Sequence, residues 1–418
     1  MKKYIFVTTD IHPLGGIQIY VSGKSKFLEK NGWNVYVIYP SFSTEPCVFP
    51  FLNKYQNGRN VSLSFYPGEL PKKALGNTID WLKRVIDFSS TDEILIESHH
   101  DRSAAWAEIF AQELRGVHAC LCCNEVFRGK NKHYIEYIDL FKYKYDRKQL
   151  AGISENSMRM MFEDTKYELF VNEPYVFDAA PDETVQNIKN KKISEIEDAC
   201  INIAYIGRVN KDFFKEITIS VKTFITKYQN QKFSYIVVGD ADKDNIKWVT
   251  SIFKSSKNIT ITFTGSLFPV PKELFNKLDV SIAGSGCALM SAREGVLTIL
   301  VDANDGRSDG VLGIDTIDFL YREEDAFNTT IEQSLEDIIV LQKYKASDIK
   351  MPDEPDTSEI FNQHFEYFEN RKKEYFSKQL IINAYRKNLK RLLRYLYVTV
   401  IKDKIYLLNK RKYYEQED

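Results

Sequence analysis

CINIAYIGRVNKDFFKEITISVKTFITKYQNQKFSYIVVGDAD, residues 200–242, is the stretch of the chain that decides its fold. An apolar run over residues 201–206 stops at Gly207, and Arg208 follows at once. Apolar residues then recur at the spacing of one helix face, and a second apolar run over residues 235–238 stops at another glycine. This pattern predicts a strand, a glycine turn, a crossover helix and a second strand parallel to the first.

The turn at Gly207 and Arg208 is predicted to lie where ligands bind in such sheets, outside the carboxyl ends of the strands. Glycine allows a ligand to approach the backbone closely. An arginine beside it favours an anion, of which phosphate is the natural candidate.

The charge of the chain is unevenly distributed. The 418 residues carry a formal net charge of −1, and 44% hydrophobic with 28% charged residues is typical of a globular chain of about two domains. Residues 371–418 contain fourteen Lys or Arg and five Asp or Glu, a net +9 that leaves −10 on the other 370. An acidic body with one basic end argues against a general nucleic-acid-binding protein and for a single basic surface.

The cysteines are few and scattered, and they are Cys47, Cys120, Cys122, Cys123, Cys200 and Cys287. This number does not make a disulfide framework, and no Cys/His set completes a metal site, so we expect reduced thiols. The N-terminus lacks the apolar segment of a secretion signal, and no run of about 20 apolar residues is present. We therefore expect a cytoplasmic protein.

The first half of the chain opens with another unit of the same kind. A strand over residues 4–8 precedes Gly15 and Gly16, and a helix to about residue 31 precedes a strand over residues 35–39. Paired glycines at a helix start can present N–H groups and the positive dipole end to a phosphate, although a tight turn is an equal alternative. The dinucleotide fingerprint GxGxxG is absent.

Two later strands of the first half end in polar residues, which are His99, His100, Asp101, Asn124 and Glu125. These side chains are predicted to share one sheet edge with the glycine pair, because parallel strands end at the same edge. A histidine such as His100 can orient a hydroxyl or transfer a proton. The alternative is that it caps the next helix.

The second half contains another candidate anion site. The turn GSGC, residues 284–287, follows an apolar strand and precedes a helix predicted from about residue 288 to Glu294. Ser285 is placed to cap that helix, and the helix start faces the edge that carries Arg208. A later strand ends in Asp302 at the same predicted edge.

Five passages, taken in order, resemble GT-B glycosyltransferases of group 1 (family 4) over nearly the whole chain. They are HPLGGIQIYVSGKSKFLEKNGWNVYVI, LAGISENSM, IAYIGRVNKDFFKEI, FTGSLFPVPKELFNKLDVSIAGSG and SAREGVLTILVD. The resemblance implies an α/β protein with two Rossmann-like domains that face each other across a cleft holding a nucleotide sugar.

The same resemblance sets the expected domains. Residues 1–180 form the acceptor-side domain, 181–199 a charged linker, 200–360 the nucleotide-sugar-binding domain, and 361–418 a crossover helix with a basic tail. No cofactor is expected beyond a UDP- or GDP-linked sugar as co-substrate.

The predicted donor-binding residues are Gly15, Gly16, Gly207, Arg208, Lys215, Ser285, Gly286, Cys287, Glu294 and Asp302, and the predicted catalytic residues are His100, Arg208, Lys215 and Glu294. In the resemblance, Gly16 approaches the donor phosphates. Arg208 and a lysine neutralise the departing diphosphate, which two fixed cations can do without a metal. Lys215 matches that lysine best, and Lys211 is the competing choice.

One departure from the family concerns its pair of glutamates, which lie eight residues apart. Alignment on Gly295 puts Ile282 and Met290 at their positions, and Glu294 is the carboxylate beside them. A salt-bridged or capping surface acid is the alternative role for Glu294. We expect a divergent but active enzyme, and a non-catalytic partner subunit is the alternative.

A polar loop is predicted after the strand that ends at Asp302. Residues 302–305 and the glycine-rich segment 310–316 can close over the donor, and a plain surface loop is the alternative. The acidic residues form no DxD-like motif, so we predict no metal dependence.

The C-terminal tail reads as helical from about residue 361 to 409. Within residues 385–418, an apolar stripe of leucines and tyrosines runs beside lysines and arginines. Such a basic amphipathic helix suits an anionic membrane surface. A contact with a partner or a second copy is the alternative, and nucleic acid is the weakest of the three.

The sequence as a whole favours a glycosyltransferase that moves a sugar from a nucleotide-sugar donor to a lipid-linked glycan acceptor in bacterial surface-polysaccharide synthesis. The resemblance implies retention at the anomeric carbon, and the basic tail implies work at the inner face of the membrane. The alternatives are a non-catalytic GT-B-like partner of another transferase and a nucleotide-sugar epimerase of the same architecture.

Overall fold

The computed structural model describes residues 1–41, 43, 45–122, 132–152, 158, 162, 185–198, 200–211, 213–302, 306–317, 328–352, 356–369 and 371–383. The chain divides into two compact units. The N-terminal unit comprises Met1–Pro181 together with Pro355–Asp418, and the C-terminal unit comprises Asp182–Glu354.

The N-terminal unit is built on five strands and six helices within its described residues. They are β1 (Lys2–Val7), α1 (Gly16–Lys30), β2 (Asn34–Ile38), α2 (Lys72–Val85), β3 (Glu93–Ser98), α3 (Asp101–Leu114), β4 (Val117–Cys122), α4 (Lys132–Asp146) and β5 (Leu150–Gly152), with two C-terminal helices at Thr357–Glu369 and Lys378–Asn383. The strands form one parallel sheet in the order β2-β1-β3-β4-β5. Val7 pairs with both Ile38 and Ser98, so three strands end at one edge.

The C-terminal unit begins with the short pieces β6 (Val185–Gln186) and α5 (Lys191–Ser194) and continues through β7 (Ile201–Ile206), α6 (Phe213–Lys227), β8 (Phe233–Val238), α7 (Lys243–Phe253), β9 (Ile259–Gly265), β10 (Val270–Pro271), α8 (Lys272–Asn276), β11 (Val280–Ala283), α9 (Ser285–Arg293), β12 (Leu297–Val301), β13 (Ser308–Val311) and α10 (Ile331–Leu335). The two C-terminal helices of the other unit are then α11 (Thr357–Glu369) and α12 (Lys378–Asn383).

Six strands of the C-terminal unit form a sheet in the order β13-β12-β11-β7-β8-β9, in which only β13 runs antiparallel. Ile206 pairs with Ala283 on one side and Val238 on the other, so β7, β8 and β11 end level with one another. Apolar residues fill these central strands because helices cover both faces of the sheet. The predicted α/β class and the predicted parallel pairing of β7 with β8 are confirmed.

Two sequence-based expectations about elements are wrong, and one helix was not expected. The segment 310–316, predicted as a polar loop after a strand, begins inside β13, which extends the sheet by one antiparallel strand. The tail is not one continuous helix from residue 361, because α11 ends at Glu369 and residues 371–377 are not helical before α12 begins. Helix α7 was not predicted, although Ile246, Val249 and Phe253 recur at helical spacing.

Several expectations fall outside the described residues. They concern the polar pair Asn124 and Glu125, residues 303–305 and the basic tail from residue 384 onward. Within the described part of the chain, no helix is long and apolar enough to cross a membrane.

A buried ionic network joins α11 to the sheet of the N-terminal unit. Glu97 on β3 is fully buried and accepts hydrogen bonds from Tyr4, Tyr20 (2.8 Å), Lys24 (2.5 Å) and His99 (2.9 Å). Burial alone raises the pKa of Glu97, but the ion pair with Lys24 and the hydrogen bond from His99 hold it well below its usual value. The hydroxyl of Tyr20 also lies 3.1 Å from Nδ1 of His364 on α11.

A second network fixes the segment between α11 and α12. Glu108 on α3 is buried against Lys144 (2.5 Å) and His118 (2.7 Å), and it also accepts the backbone N–H of Phe376 (2.5 Å). The side-chain amide of Gln149 donates to the carbonyl of Lys372 at 2.9 Å. The C-terminal segment is therefore an integral part of the N-terminal unit up to its last described residue.

Candidate functional site

Three glycines lie in a row where β7, β8 and β9 end in the C-terminal unit. The N–H of Gly207 donates to the carbonyl of Val238 (3.0 Å), and the N–H of Gly239 donates to that of Gly265 (3.1 Å). A Cβ on Gly239 would lie 2.0 Å from the carbonyl oxygen of Gly207, so the two turns touch and only glycine fits between them. This contact fixes the backbone from which Arg208 projects.

Arg208 is exposed at this edge, and the GSGC turn follows β11, which pairs with β7. Ile206 and Ala283 pair at the ends of these two strands, so the turn at Gly207 and Arg208 and the start of α9 are neighbours. Burial raises the pKa of the Cys287 thiol, and the guanidinium of Arg208 opposes that rise.

The start of α9 differs from the prediction in its cap. Gly284, not Ser285, is the N-cap, and a glycine has no side chain with which to cap the helix. Ser285 is already the first helical residue, with a left-handed φ of 50° that disfavours most L-residues. Beside it, a Cβ on Gly286 would meet no atom within 4 Å, so there is open space over the backbone at the positive end of the helix dipole.

The two candidate lysines both follow Arg208 in the chain but have different surroundings. The backbone N–H of Lys211 donates to the carbonyl of Arg208 (3.3 Å), so it belongs to the same turn. Lys215 is exposed in the first turn of α6, with its ammonium 5.7 Å from the ring centroid of Trp248 on α7. Both start from the carboxyl edge of β7, and the choice between them stays a prediction.

Glu294 is not brought together with Arg208. It follows the last residue of α9 and comes shortly before β12 begins, whereas Ser285 follows the end of β11. Since β11 and β12 are parallel, these two positions lie at opposite edges of the sheet, about 13 Å apart along a nine-residue helix. The carboxylate pairs there with Lys272 at 3.3 Å, which is the alternative role weighed for it.

Asp302 lies at the same edge as Arg208, directly after β12. It is 5% exposed and closes a tight turn, since its N–H donates to the carbonyl of Arg307 and its own carbonyl accepts from Gly306, both at 3.0 Å. The described residues contain no group of three His, Cys, Asp or Glu that could hold a metal ion.

In the N-terminal unit, Gly15 is the N-cap of α1 and Gly16 its first residue, again without a side-chain cap. A Cβ on Gly15 would lie 2.6 Å from Oε1 of Gln18, which folds back over the turn and donates to the carbonyl of Asp10. A side chain at residue 15 would therefore displace the amide of Gln18, which agrees with the tight-turn alternative for this glycine.

His100 caps α3, which is the alternative considered for it. Its Nδ1 accepts the N–H of Ser103 at 3.3 Å, and burial lowers the pKa of the imidazole, although the neighbouring Asp101 opposes that change. An Nδ1 that accepts leaves the proton of the neutral ring on Nε2, which is buried with no hydrogen-bond partner among the described residues. Nδ1 also lies 3.4 Å from Oδ1 of Asp101, which favours a proton on Nδ1, so either ring nitrogen can carry the proton.

A further histidine at the same edge, His12, was not among the residues predicted from the sequence. His12, in the loop between β1 and α1, has Nδ1 2.5 Å from Oδ1 of Asp10, whose Oδ2 accepts from the hydroxyl of Ser41 at 2.8 Å. A proton on Nδ1 leaves the lone pair on Nε2, which has no partner among the described residues. The Asp-Ile-His spacing was its only signal in the sequence, and the contact to Ser41 is not local.

Three solved structures are similar to this chain over nearly its full length. A glycosyltransferase from Rickettsia africae is 14% identical, with a TM-score of 0.58 over 96% of this chain and 99% of that one. The Anabaena protein HepE in complex with UDP-glucose is 11% identical, with a TM-score of 0.55 over 91% and 97%. A UDP-GlcNAc 2-epimerase from Neisseria meningitidis bound to UDP-GlcNAc is 14% identical, with a TM-score of 0.51 over 88% and 99%.

No protein-family model and no curated protein sequence matches the chain. Similarity at such low sequence identity establishes the fold alone, and the fold is GT-B, as the resemblance implied. Membership of family 4 within this fold stays a prediction.

Proposed function

We propose that the chain is a glycosyltransferase that binds a nucleoside-diphosphate sugar in its C-terminal unit and transfers the sugar to a glycan acceptor. The observation that carries the proposal is the neighbourhood of Arg208 and the start of α9. There, an exposed cation, a helix that starts at a glycine and open space at Gly286 adjoin one another at the carboxyl edge of parallel strands. Each of these features favours a phosphate group, and together they suit a diphosphate.

The chemistry proposed for this site is stabilisation of a departing diphosphate. As the bond between the anomeric carbon and the phosphate oxygen breaks, negative charge develops on that oxygen. Arg208 and one lysine, Lys215 or Lys211, neutralise the charge, and the dipole of α9 adds to their effect. These groups serve the reaction without a metal ion, and retention at the anomeric carbon remains part of the proposal through the resemblance.

The acceptor side of the proposal rests on the N-terminal unit. The sugar hydroxyl that attacks must lose a proton, and His100 and His12 are the two histidines proposed to orient it or to accept that proton. His12 suits the role of base, because its Nδ1 contacts Asp10 at 2.5 Å, and a proton held there leaves the lone pair on Nε2.

The alternative to an active transferase is a non-catalytic partner subunit. It stays open because the pair of glutamates typical of the similar family is missing, with Ile282 and Met290 at those positions.

An epimerase is the second candidate function, because a UDP-GlcNAc 2-epimerase shares the fold over most of the chain. An epimerase requires no acceptor and no contact with a membrane. The two functions therefore differ in whether a sugar leaves the nucleotide in the presence of a glycan, which thin-layer or mass analysis of the products decides.

The first test of the proposal is nucleotide binding. We expect calorimetric titration of the full chain to show saturable binding of UDP or GDP at micromolar to sub-millimolar concentration, with UMP weaker and uridine weakest, because the diphosphate supplies the charge that Arg208 recognises. Absence of binding by every nucleotide and nucleotide sugar at millimolar concentration contradicts both the transferase and the epimerase.

The lipid-linked acceptor and the membrane contact are proposed from the basic tail. Deletion of residues 385–418 is expected to abolish co-sedimentation with vesicles that contain phosphatidylglycerol, since juxtamembrane Lys and Arg each contribute about 1 kcal/mol of attraction to an anionic surface. Vesicles of phosphatidylcholine alone are the control for charge. A variant with Leu392, Leu393 and Leu396 changed to serine keeps the charge and tests the apolar stripe. Undiminished sedimentation of the deletion variant refutes the membrane proposal.

A further inference from the structure

A buried tyrosine lies beneath the turn that presents Arg208. Tyr205, on β7, is 2% exposed, and its hydroxyl donates a hydrogen bond of 3.0 Å to the backbone carbonyl of Arg208. The bond spans three residues and closes the turn from its inner side. The backbone of Arg208 is therefore held by a buried hydroxyl, while its guanidinium is exposed.

The turn also rests on the phenol ring. A Cβ on Gly207 would lie 3.1 Å from the hydroxyl oxygen of Tyr205 and 3.3 Å from the ring carbon that carries it. The ring in turn packs against Phe214 of α6, with the ring centroids 4.9 Å apart. The backbone of Gly207 and Arg208 is thus supported by an aromatic ring that is itself held in place by the crossover helix.

The surroundings of Tyr205 include both components of the candidate phosphate site. The ends of β7 and β11 pair with each other, which puts the start of α9 next to the turn that follows Tyr205. Burial raises the pKa of Tyr205, the neighbouring Tyr235 and Cys287 add to that rise, and Arg208 opposes it. Tyr205 is therefore within electrostatic range of both components of the candidate phosphate site. The buried side chain of Tyr205 thus bonds to the arginine turn, which is the turn at Gly207 and Arg208, and is within electrostatic range of the start of α9.

We infer that Tyr205 is a positioning residue for Arg208, which sets the arginine turn in the conformation that meets a diphosphate. This inference rests on the function proposed above and goes beyond it, since it assigns a role to a residue that touches no ligand. Loss of the hydroxyl leaves the carbonyl of Arg208 without this donor and frees the turn to move. A catalytic or binding group that is 1 Å out of place loses much of its effect.

The test is Tyr205→Phe, with Tyr235→Phe as the matched control. Tyr235, on the neighbouring strand β8, is buried in the same core and pairs with Ile203, two residues before Tyr205. Its hydroxyl lies 3.2 Å from that of Thr218 on α6, whereas that of Tyr205 bonds to the carbonyl of Arg208. Each variant removes one buried hydroxyl, so we expect similar losses of thermal stability. Tyr205→Phe alone should weaken UDP binding by about three- to tenfold, the size expected for one neutral hydrogen bond, and should leave uridine binding unchanged.

A double-mutant cycle decides whether Tyr205 acts through Arg208. In the Arg208→Ala background, Tyr205→Phe should no longer change the dissociation constant of UDP, because the group that it positions is absent. An equal loss in both backgrounds, or UDP binding by Tyr205→Phe at the wild-type level, overturns the inference while the proposed function stands. Absence of nucleotide binding by the wild type instead refutes the proposed function, and the inference with it.

Discussion

Replacing Arg208 with alanine should raise the dissociation constant of UDP by about 10- to 100-fold, as expected for the loss of charge-assisted hydrogen bonds to phosphate. Donor turnover should fall further, by about 100- to 1000-fold, because the charge on the leaving diphosphate is greatest in the transition state. Calorimetry with UDP and release of UDP from the nucleotide sugar measure the two effects. The fold should remain intact, since the side chain is exposed.

Two further variants show whether the effect belongs to this arginine. Arg208→Lys keeps the charge but loses the planar pair of donors, so its UDP affinity should lie between wild type and Arg208→Ala. Lys257→Ala removes one exposed cation shortly before β9 begins, at the opposite edge of the same sheet, and should leave UDP binding unchanged because salt screens charges at that distance. Wild-type affinity in Arg208→Ala removes Arg208 from the site.

The arginine turn was predictable from the sequence because its determinants are local. An apolar run that stops at a glycine fixes the end of a buried strand, and the residue that follows must then lie at the carboxyl edge of a parallel sheet. The same reasoning placed Cys287 and Asp302 at that edge. The ends of the strands were sufficient for these predictions, and no contact between side chains had to be known.

Residues whose role depends on contacts between distant segments could not be predicted in this way. Glu294 lies close in sequence to the GSGC turn, but a nine-residue helix carries it to the opposite edge of the sheet. Tyr205 reads as one more apolar strand position, and its hydrogen bond depends on how the following turn folds back. The pairing of His12 with Asp10 and Ser41 likewise requires β1 and β2 to be brought side by side.

The Glu97 network is the clearest case of a feature hidden from the sequence. The partners of Glu97 come from β1, α1 and the segment after β3. One of them, Tyr20, also contacts His364 in α11, which lies 344 residues after Tyr20 in the chain. A single acidic residue in an otherwise apolar strand gives no sign of these partners. Yet a fully buried carboxylate must be paired, because an unpaired charge in the interior is strongly unfavourable.

Glu97→Gln should therefore lower the free energy of unfolding of the N-terminal unit by about 3–5 kcal/mol, the loss expected when one partner of a buried ion pair is removed. The amide has nearly the same shape, so the loss comes from charge and not from a cavity. Lys24 is left buried without its counter-ion. Urea unfolding followed by tryptophan fluorescence measures the change, since Trp33, Trp81 and Trp106 lie in this unit and only Trp248 lies in the other.

The matched control is Glu113→Gln, which makes the same change on α3 at the surface. Glu113 pairs with Lys83 at 3.4 Å and Lys378 at 2.5 Å, but its side chain is 28% exposed, and solvent reduces the value of such pairs to about 1 kcal/mol or less. The double variant Glu97→Leu with Lys24→Met removes both charges and should recover much of the stability lost in Glu97→Gln, because no buried charge is then left unpaired. If Glu97→Gln and Glu113→Gln unfold at the same urea concentration, the buried network does not hold α11 to the sheet, and the aromatic contacts of Phe361 with Tyr20 and Phe27 must do so instead.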